Sequence, residues 1–268
     1  MTDKMVKAIG IFDSGIGGLT VLKEIIQKLP QEDTVYLGDT ARVPYGTKSP
    51  ETVTRYSFEN TAFLLKQEIK LLVVACNTSS AISLHEIKKT VPIPVIGVLE
   101  PGARAAVKAT KSKRVGVIGT EATIGSGAYP DTIKRLDSRI EVFSTPCPLF
   151  VPLVEEGWMD NEITLMVAER YLGPLKKERI DTLLLGCTHY PLLKGILKDV
   201  MGDGVSLIDS AQETAIEVER ILSQKGLLRK ISGEGKHGYF VTDAPGRFAS
   251  LGERFLGFRI DRVEKIDT

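Results

Sequence analysis

The sequence predicts an α/β fold of two similar domains, each a mainly parallel sheet flanked by helices. A pseudo-two-fold axis is expected to relate the domains, with a site in the cleft between them. Short β-branched apolar runs alternate with longer amphipathic runs, which is the pattern of βα units around a parallel sheet. The two halves of the chain also echo each other, so the same α/β unit is expected twice.

The first βα unit is marked by a change in the spacing of apolar residues. Ala8–Phe12 is a short apolar run that predicts a strand, and Asp13–Gly18 is a glycine-rich turn. Leu19–Leu29 carries its apolar side chains at helical spacing, which predicts an amphipathic helix. Thr34–Leu37 has the composition of the next strand.

A longer helix and a fully apolar strand follow. Ser49 is a good N-cap residue, Pro50 suits the first helical position, and Glu51 complements the helix dipole. The helix is therefore predicted from Pro50 to about Ile69. Leu71–Ala75 is apolar throughout, as expected for a strand covered on both faces.

Three pairs of segments carry the internal repeat. They are Lys7–Ser14 with Lys113–Thr120, Leu71–Thr78 with Thr182–His189, and Val95–Glu100 with Val205–Ser210. The spacing agrees as well, because Cys76 follows Ser14 by 62 positions and Cys187 follows Thr120 by 67. The chain is therefore interpreted as two copies of one unit.

The third echo indicates where the chain changes domain. We expect residues 1–97 and 211–268 to form one discontinuous domain and residues 98–210 the other; the alternative is a single sheet of roughly ten strands. Each echo ends a predicted strand, and open α/β sheets bind ligands at the carboxyl ends of their strands. Two facing sheets would then put four side chains on opposing walls of one cleft: Ser14, Cys76, Thr120 and Cys187.

Composition excludes several classes of partner. Lys and Arg number 35 against 34 Asp and Glu, and the formal charge of +1 leaves no basic excess for a nucleic-acid backbone. No apolar stretch approaches the ~18 residues that span a bilayer. Met1–Lys7 lacks the apolar core of a signal peptide. We therefore expect a cytoplasmic chain without membrane or nucleic acid as a main partner.

Three cysteines do not suggest a disulfide framework or a metal site. An odd number of cysteines suits a reducing compartment, which leaves free thiols for chemistry. No CxxC occurs, and the three histidines are scattered, so no metal is expected. Cys147 stands between two prolines without a partner in the repeat and is interpreted as structural.

Cys76 and Cys187 stand at equivalent places, each just after an apolar strand and before polar residues. A thiol at the start of a helix faces the positive end of the helix dipole, which favours a pKa below ~8.5. Two such thiols could remove a proton from one face of a carbon and deliver another to the opposite face, giving the mirror-image product. The alternatives are two buried structural cysteines, or a cysteine hydrolase in which His189 serves Cys187.

Other polar residues near the carboxyl ends of the predicted strands allow two interpretations each. The Asp13–Gly18 turn lacks the order of nucleotide-binding loops, but its N–H groups would attract a carboxylate. Asp13 could tune a nearby thiol or simply cap a helix. From the residues alone, Glu155 is interpreted as a solvated side chain and His189 as a hydrogen-bonded structural histidine, with catalytic roles as the alternatives.

Four motifs in order resemble the glutamate racemases of bacteria, within the aspartate/glutamate/hydantoin racemase superfamily. They are DSGIGGLTV at 13–21, VPYG at 43–46, ACNTSS at 75–80 and GCTHYPLL at 186–193. The resemblance runs through most of the chain. It implies a cofactor-independent interconversion of L- and D-glutamate that supplies D-glutamate for peptidoglycan, and a homodimer.

The resemblance also assigns roles to residues. It implies that Cys76 acts on the D-enantiomer and Cys187 on the L-enantiomer, with Asp13, Glu155 and His189 as polar assistants. The implied substrate-binding residues are Asp13, Ser14, Tyr45, Gly46, Asn77, Thr78, Thr120, Thr123, Thr188 and His189. Two alternatives remain: a racemase for aspartate or a hydantoin, and a non-catalytic amino-acid-binding protein.

Overall fold

In the computed structural model, which describes residues 5–230 and 233–267, the strands form two separate sheets. The strands of this part of the chain are β1 (Ile9–Asp13), β2 (Thr34–Gly38), β3 (Leu71–Val74), β4 (Val95–Gly97), β5 (Arg114–Gly119), β6 (Glu141–Pro146), β7 (Thr182–Gly186), β8 (Ser206–Asp209), β9 (His237–Val241) and β10 (Glu264–Lys265).

Helices connect the strands and cover the sheets. They are α1 (Leu19–Lys28), α2 (Pro50–Lys66), α3 (Asn77–Ile82), α4 (Leu84–Thr90), α5 (Leu99–Ala109), α6 (Glu121–Gly125), α7 (Ala128–Leu136), α8 (Phe150–Glu155), α9 (Glu162–Lys177), α10 (Lys194–Met201), α11 (Ser210–Gln224) and α12 (Pro245–Leu256). Short 3₁₀ turns occupy Tyr45–Thr47 and Tyr190–Leu193. Among these helices, none has both the length and the apolar composition of a membrane crossing.

The strand order confirms the predicted fold class. One sheet has the order β10-β9-β2-β1-β3-β4 and the other β6-β5-β7-β8, and neighbouring strands pair in parallel in both. The order β2-β1-β3-β4 is repeated by β6-β5-β7-β8, so the duplication in sequence is a duplication of topology. The single-sheet alternative is wrong for the described residues. The exact domain boundaries stay a prediction.

The predicted elements of the first unit are close to the observed ones. Ser49 caps α2, since its side chain accepts a hydrogen bond from the Thr52 N–H at 3.3 Å. The helix ends at Lys66, three residues earlier than predicted, because Glu68 adopts a left-handed conformation with φ of 53°. β3 is buried along its whole length, as its apolar composition predicted.

We call each sheet with the helices that connect its strands a unit, six-stranded or four-stranded. The long helix α11 joins them, because it packs against α1 of the six-stranded unit and against α5, which contacts β7 and β8 of the four-stranded unit. The buried face of α1 carries Leu19, Leu22 and Ile25. Burial of each such side chain stabilises the fold by about 1.5–3 kcal/mol. The two units are therefore held by apolar packing as well as by the chain connections.

Glycines at equivalent positions of the two units leave room for an isoleucine. A Cβ added to Gly10 of β1 would lie 2.5 Å from Cδ1 of Ile69. A Cβ added to Gly116 of β5 would collide in the same way with Cδ1 of Ile180. Both isoleucines are buried just before the next strand of their sheet. The repeat therefore extends to packing.

We expect Gly10→Ala and Gly116→Ala each to lower the free energy of unfolding by about 1–3 kcal/mol, because the added methyl overpacks the isoleucine. Gly173→Ala is the control: its Cβ would meet nothing within 4 Å inside helix α9. That change should stabilise the chain by about 0.5–1 kcal/mol. Urea unfolding measures all three, and equal effects at Gly116 and Gly173 would refute the packing argument.

Candidate active site

The carboxyl ends of strands from both sheets enclose one cavity of about 50 Å³. Every residue that the family resemblance assigned to the site lines this cavity except two, Asp13 and Thr123. The lining residues are Ser14, Gly15, Ile16, Val43, Pro44, Tyr45, Gly46, Cys76, Asn77, Thr78, Thr120, Val151, Glu155, Cys187, Thr188 and His189. Both thiols therefore reach the same cavity from different sheets.

Cys76 stands between β3 and helix α3, where it is 5% exposed. Its Sγ accepts a hydrogen bond from the Ser79 N–H at 3.5 Å and lies 3.6 Å from the Ser14 Oγ. Burial raises the pKa of the Cys76 thiol to about 11, and the nearby Asp13 adds to the increase. The expectation of a lowered pKa is wrong for Cys76, because burial outweighs the hydrogen bond at the helix start.

Asp13 ends β1 and is completely buried. Its Oδ2 accepts a hydrogen bond from the Gly15 N–H at 2.9 Å, and its Oδ1 has no partner among the described residues. Burial raises the pKa of this carboxyl, although the charge of His189 opposes the shift. The helix-cap alternative is wrong, because the N-cap of α1 is Gly18 and no side chain caps it.

Cys187 follows β7 and faces a chain of charged side chains. Its Sγ lies 3.9 Å from Nδ1 of His189, and Nε2 of His189 lies 3.1 Å from Oε1 of Glu155 at the end of α8. Burial alone would lower the pKa of His189, but the hydrogen bonds to Cys187 and Glu155 raise it to about 10. The bond to His189 lowers the pKa of Glu155. Arg247 of α12 lies 3.8 Å from the same carboxylate.

Three threonine hydroxyls join the two units at the cavity. Thr78 of α3 lies 3.0 Å from both Thr120 and Thr123, which are 2.9 Å from each other. Gly46 approaches the same place, and a Cβ there would lie 2.6 Å from Cβ of Thr120. The carbonyl of Thr188 accepts a hydrogen bond from the Thr20 hydroxyl at 3.0 Å. Hydroxyl groups and close main-chain contacts thus seal the interface.

Tyr45 lines the cavity, and its hydroxyl is bound within the six-stranded unit. Its hydroxyl donates to Asp39, and Nδ2 of Asn60 donates to the Tyr45 oxygen at 3.1 Å. Arg42 and Thr242 also bind the Asp39 carboxylate, which is completely buried. The Tyr45 hydroxyl is therefore occupied by partners within its own unit.

Sequence reasoning missed several of these residues. Asp39 follows β2 at the ligand edge of the sheet, and this position was the signal that could have found it. Val151 lines the cavity without a polar group to mark it. Cys147 is buried, as its structural interpretation expects, and its sulfur lies 3.6 Å from the Thr145 carbonyl. Within the described ranges, no group of three metal-ligating side chains comes together.

We expect Glu155→Gln to lower the pKa of His189 from about 10 by at least roughly one unit, because the amide cannot balance the imidazolium charge. Proton NMR titration of the His189 ring measures this shift, and Glu156→Gln is the matched control because Glu156 is exposed. Because folding raises the pKa of His189, the pair of His189 and Glu155 stabilises the fold fully below about pH 6.5. This stabilisation is lost as the pH rises through the pKa that His189 has in the folded protein. An unchanged pKa of His189 in this variant would show that Glu155 does not control the charge of the imidazole.

Comparison with known proteins shows the family of this chain. Residues 9–218 match the family model described as Asp/Glu/Hydantoin racemase. The chain is 60% identical over 260 residues to the glutamate racemase of Geobacter metallireducens, covering 97% of this chain and 96% of that protein. The structure of glutamate racemase isoform RacE1 from Bacillus anthracis has a TM-score of 0.94 at 46% identity, with 97% of each chain covered.

A second solved structure is that of glutamate racemase from Francisella tularensis in complex with D-glutamate. Its TM-score is 0.92 at 39% identity, and 98% of each chain is covered. Sequence and fold similarity thus extend over nearly the whole chain. This chain belongs to the Asp/Glu/hydantoin racemase family.

Proposed function

We propose that this protein is a glutamate racemase that interconverts L- and D-glutamate by proton transfer between two thiols. The observation that carries the proposal is that Cys76 and Cys187, from equivalent strand ends of two sheets, line one cavity. The similarity to the Geobacter protein and to the D-glutamate complex of the Francisella enzyme supports the choice of glutamate.

The proposed chemistry needs a base on one face of the α-carbon and an acid on the other. With L-glutamate, the Cys187 thiolate takes the α-proton, which breaks the C–H bond. The Cys76 S–H gives its proton to the opposite face, so the product is D-glutamate and the charge moves to Cys76. The D-to-L direction uses the same groups in reversed roles, as microscopic reversibility requires.

The surroundings of the two thiols differ in a way that fits these roles. The raised pKa of Cys76 keeps that thiol protonated at neutral pH, as a proton donor must be. A protonated His189 lies next to Cys187 and offers a positive charge to a thiolate there. Glu155 holds His189 in that state, and Asp13 is the corresponding carboxyl near Cys76.

Substrate binding falls to neutral donors and to closure of the cavity. We propose that the hydroxyls and amides of the lining residues bind the carboxylates, because these groups supply donors without a competing charge. We propose that the two units close around the bound substrate and thereby exclude water from the reacting groups.

Replacing either thiol should abolish racemisation. We expect Cys76→Ala and Cys187→Ala each to lower kcat by at least about 100-fold, because an acid or base is lost from one face. In deuterated water, Cys187→Ala should still exchange the α-proton of D-glutamate, and Cys76→Ala that of L-glutamate. Cys147→Ala is the control and should remain active, because Cys147 does not line the cavity. Normal racemisation by Cys187→Ala would refute the mechanism.

The choice of substrate is tested separately. Glutamate, aspartate and a hydantoin are compared side by side by circular dichroism, and the proposal requires glutamate to react fastest. A non-catalytic binding protein would instead bind glutamate tightly without deuterium entering the α-carbon. A faster reaction with aspartate or the hydantoin would contradict the choice of glutamate as substrate. Binding of glutamate without exchange would contradict a racemase function.

We also propose that the enzyme acts without a cofactor in the cytoplasm and supplies D-glutamate for peptidoglycan. The two thiols and the neutral donors provide all the acid–base groups that the reaction needs, which supports a cofactor-free reaction. A bacterium that requires D-glutamate for growth provides the test. Expression of the wild-type chain should restore growth and Cys76→Ala should not.

A homodimer is proposed as well. Four large apolar side chains around helices α8 and α9 are exposed: Leu149 at 51%, Trp158 at 47%, Ile163 at 52% and Met166 at 68%. Large exposed apolar side chains that lie close together in the chain are candidates for an interface between copies of that chain. Sedimentation velocity tests the proposal, and Met166→Glu should shift the chain toward monomer. A wild-type monomer at micromolar concentration would contradict it.

A further inference from the structure

Tyr129 makes a polar contact across the two units that the sequence did not reveal. It lies on helix α7 of the four-stranded unit and is completely buried. Its hydroxyl donates to Oδ1 of Asn77 at 2.6 Å. Asn77 begins helix α3 of the six-stranded unit and lines the cavity. A buried group of one unit therefore holds a cavity residue of the other.

The direction of this hydrogen bond decides which end of the amide is free. A phenol O–H is the donor, and an amide carbonyl can only accept. Nδ2 of Asn77 is buried and has no partner within the described residues. A buried amide donor without a partner costs free energy unless a ligand satisfies it. The bond thus leaves a donor, which is the group that a substrate carboxylate needs.

The surroundings of Tyr129 keep its hydroxyl in place as a donor. A Cβ at Gly186 of β7 would lie 2.9 Å from the Tyr129 ring, so the absence of a side chain there makes room for the phenol. Burial raises the pKa of Tyr129, and the nearby Cys187 adds to the increase, so the phenol keeps its proton.

We propose that Tyr129 is a positioning residue, which orients the Asn77 amide so that Nδ2 points toward a carboxylate of the substrate. The proposal rests on the proposed function, because it concerns the binding of glutamate in the same cavity. Since the bond joins the two units, the amide is fixed only when they are close together. Substrate binding and closure are thereby coupled through one hydrogen bond.

The experiment is a double-mutant cycle on Tyr129→Phe and Asn77→Ala. Because a carboxylate contact stabilises ground and transition states alike, we expect Tyr129→Phe to raise KM for both enantiomers about tenfold, with a smaller change in kcat. Once Asn77 is Ala, the second change to Phe should have no further effect on KM, because the two residues act through one contact. Tyr171→Phe is the control, since that hydroxyl accepts a bond from the Leu149 N–H outside the cavity.

Two outcomes would overturn the proposal. One is an unchanged KM in Tyr129→Phe. The other is a double variant whose change in KM equals the product of the changes in the two single variants. If Tyr129→Phe does not fold, the side-chain amide protons of Asn77 are followed by NMR in the wild-type chain. They should shift when D-glutamate is added, and no shift refutes the proposal. Failure of the wild-type chain to racemise glutamate would reject the proposed function instead.

Discussion

Exclusion of water from the junction of the two sheets is the constraint on which the rest of the site depends. Both thiols, Asp13 and His189 are almost completely buried, so charge on any of them is controlled by neighbouring groups more than by solvent. In such a place a charged group needs a partner. The fold supplies partners from both units, because strand ends of each sheet open onto one cavity.

A symmetric scaffold thus places two thiols in different surroundings. The topology around Cys76 and Cys187 is equivalent, yet the first thiol lies near Ser14 and a carboxyl, and the second lies near an imidazolium. Duplication explains why two thiols stand at corresponding places. Divergence of the residues around them explains why burial raises the pKa of Cys76, while Cys187 lies against His189, whose own pKa is raised by its hydrogen bonds.

The sequence predicted the architecture well, because periodicity and repeated segments record which faces are buried. It also predicted the residues at strand ends, since parallel sheets bring those ends together. The sequence did not predict contacts between distant segments. Nothing near Tyr129 in the chain indicates its hydrogen bond to Asn77, and nothing near Tyr45 indicates its hydrogen bond with Asn60. The raised pKa of Cys76 was missed for a related reason, because burial depends on the whole assembly.

The order of the strands along the chain has a consequence for biosynthesis. β9 pairs with β2 in the six-stranded sheet, although the whole four-stranded sheet lies between them in sequence. During translation, the inserted unit has all of its strands before β9 leaves the ribosome. Until then the edge of β2 that will pair with β9 stays open. Long-range strand pairing of this kind slows folding and exposes nascent chains to aggregation.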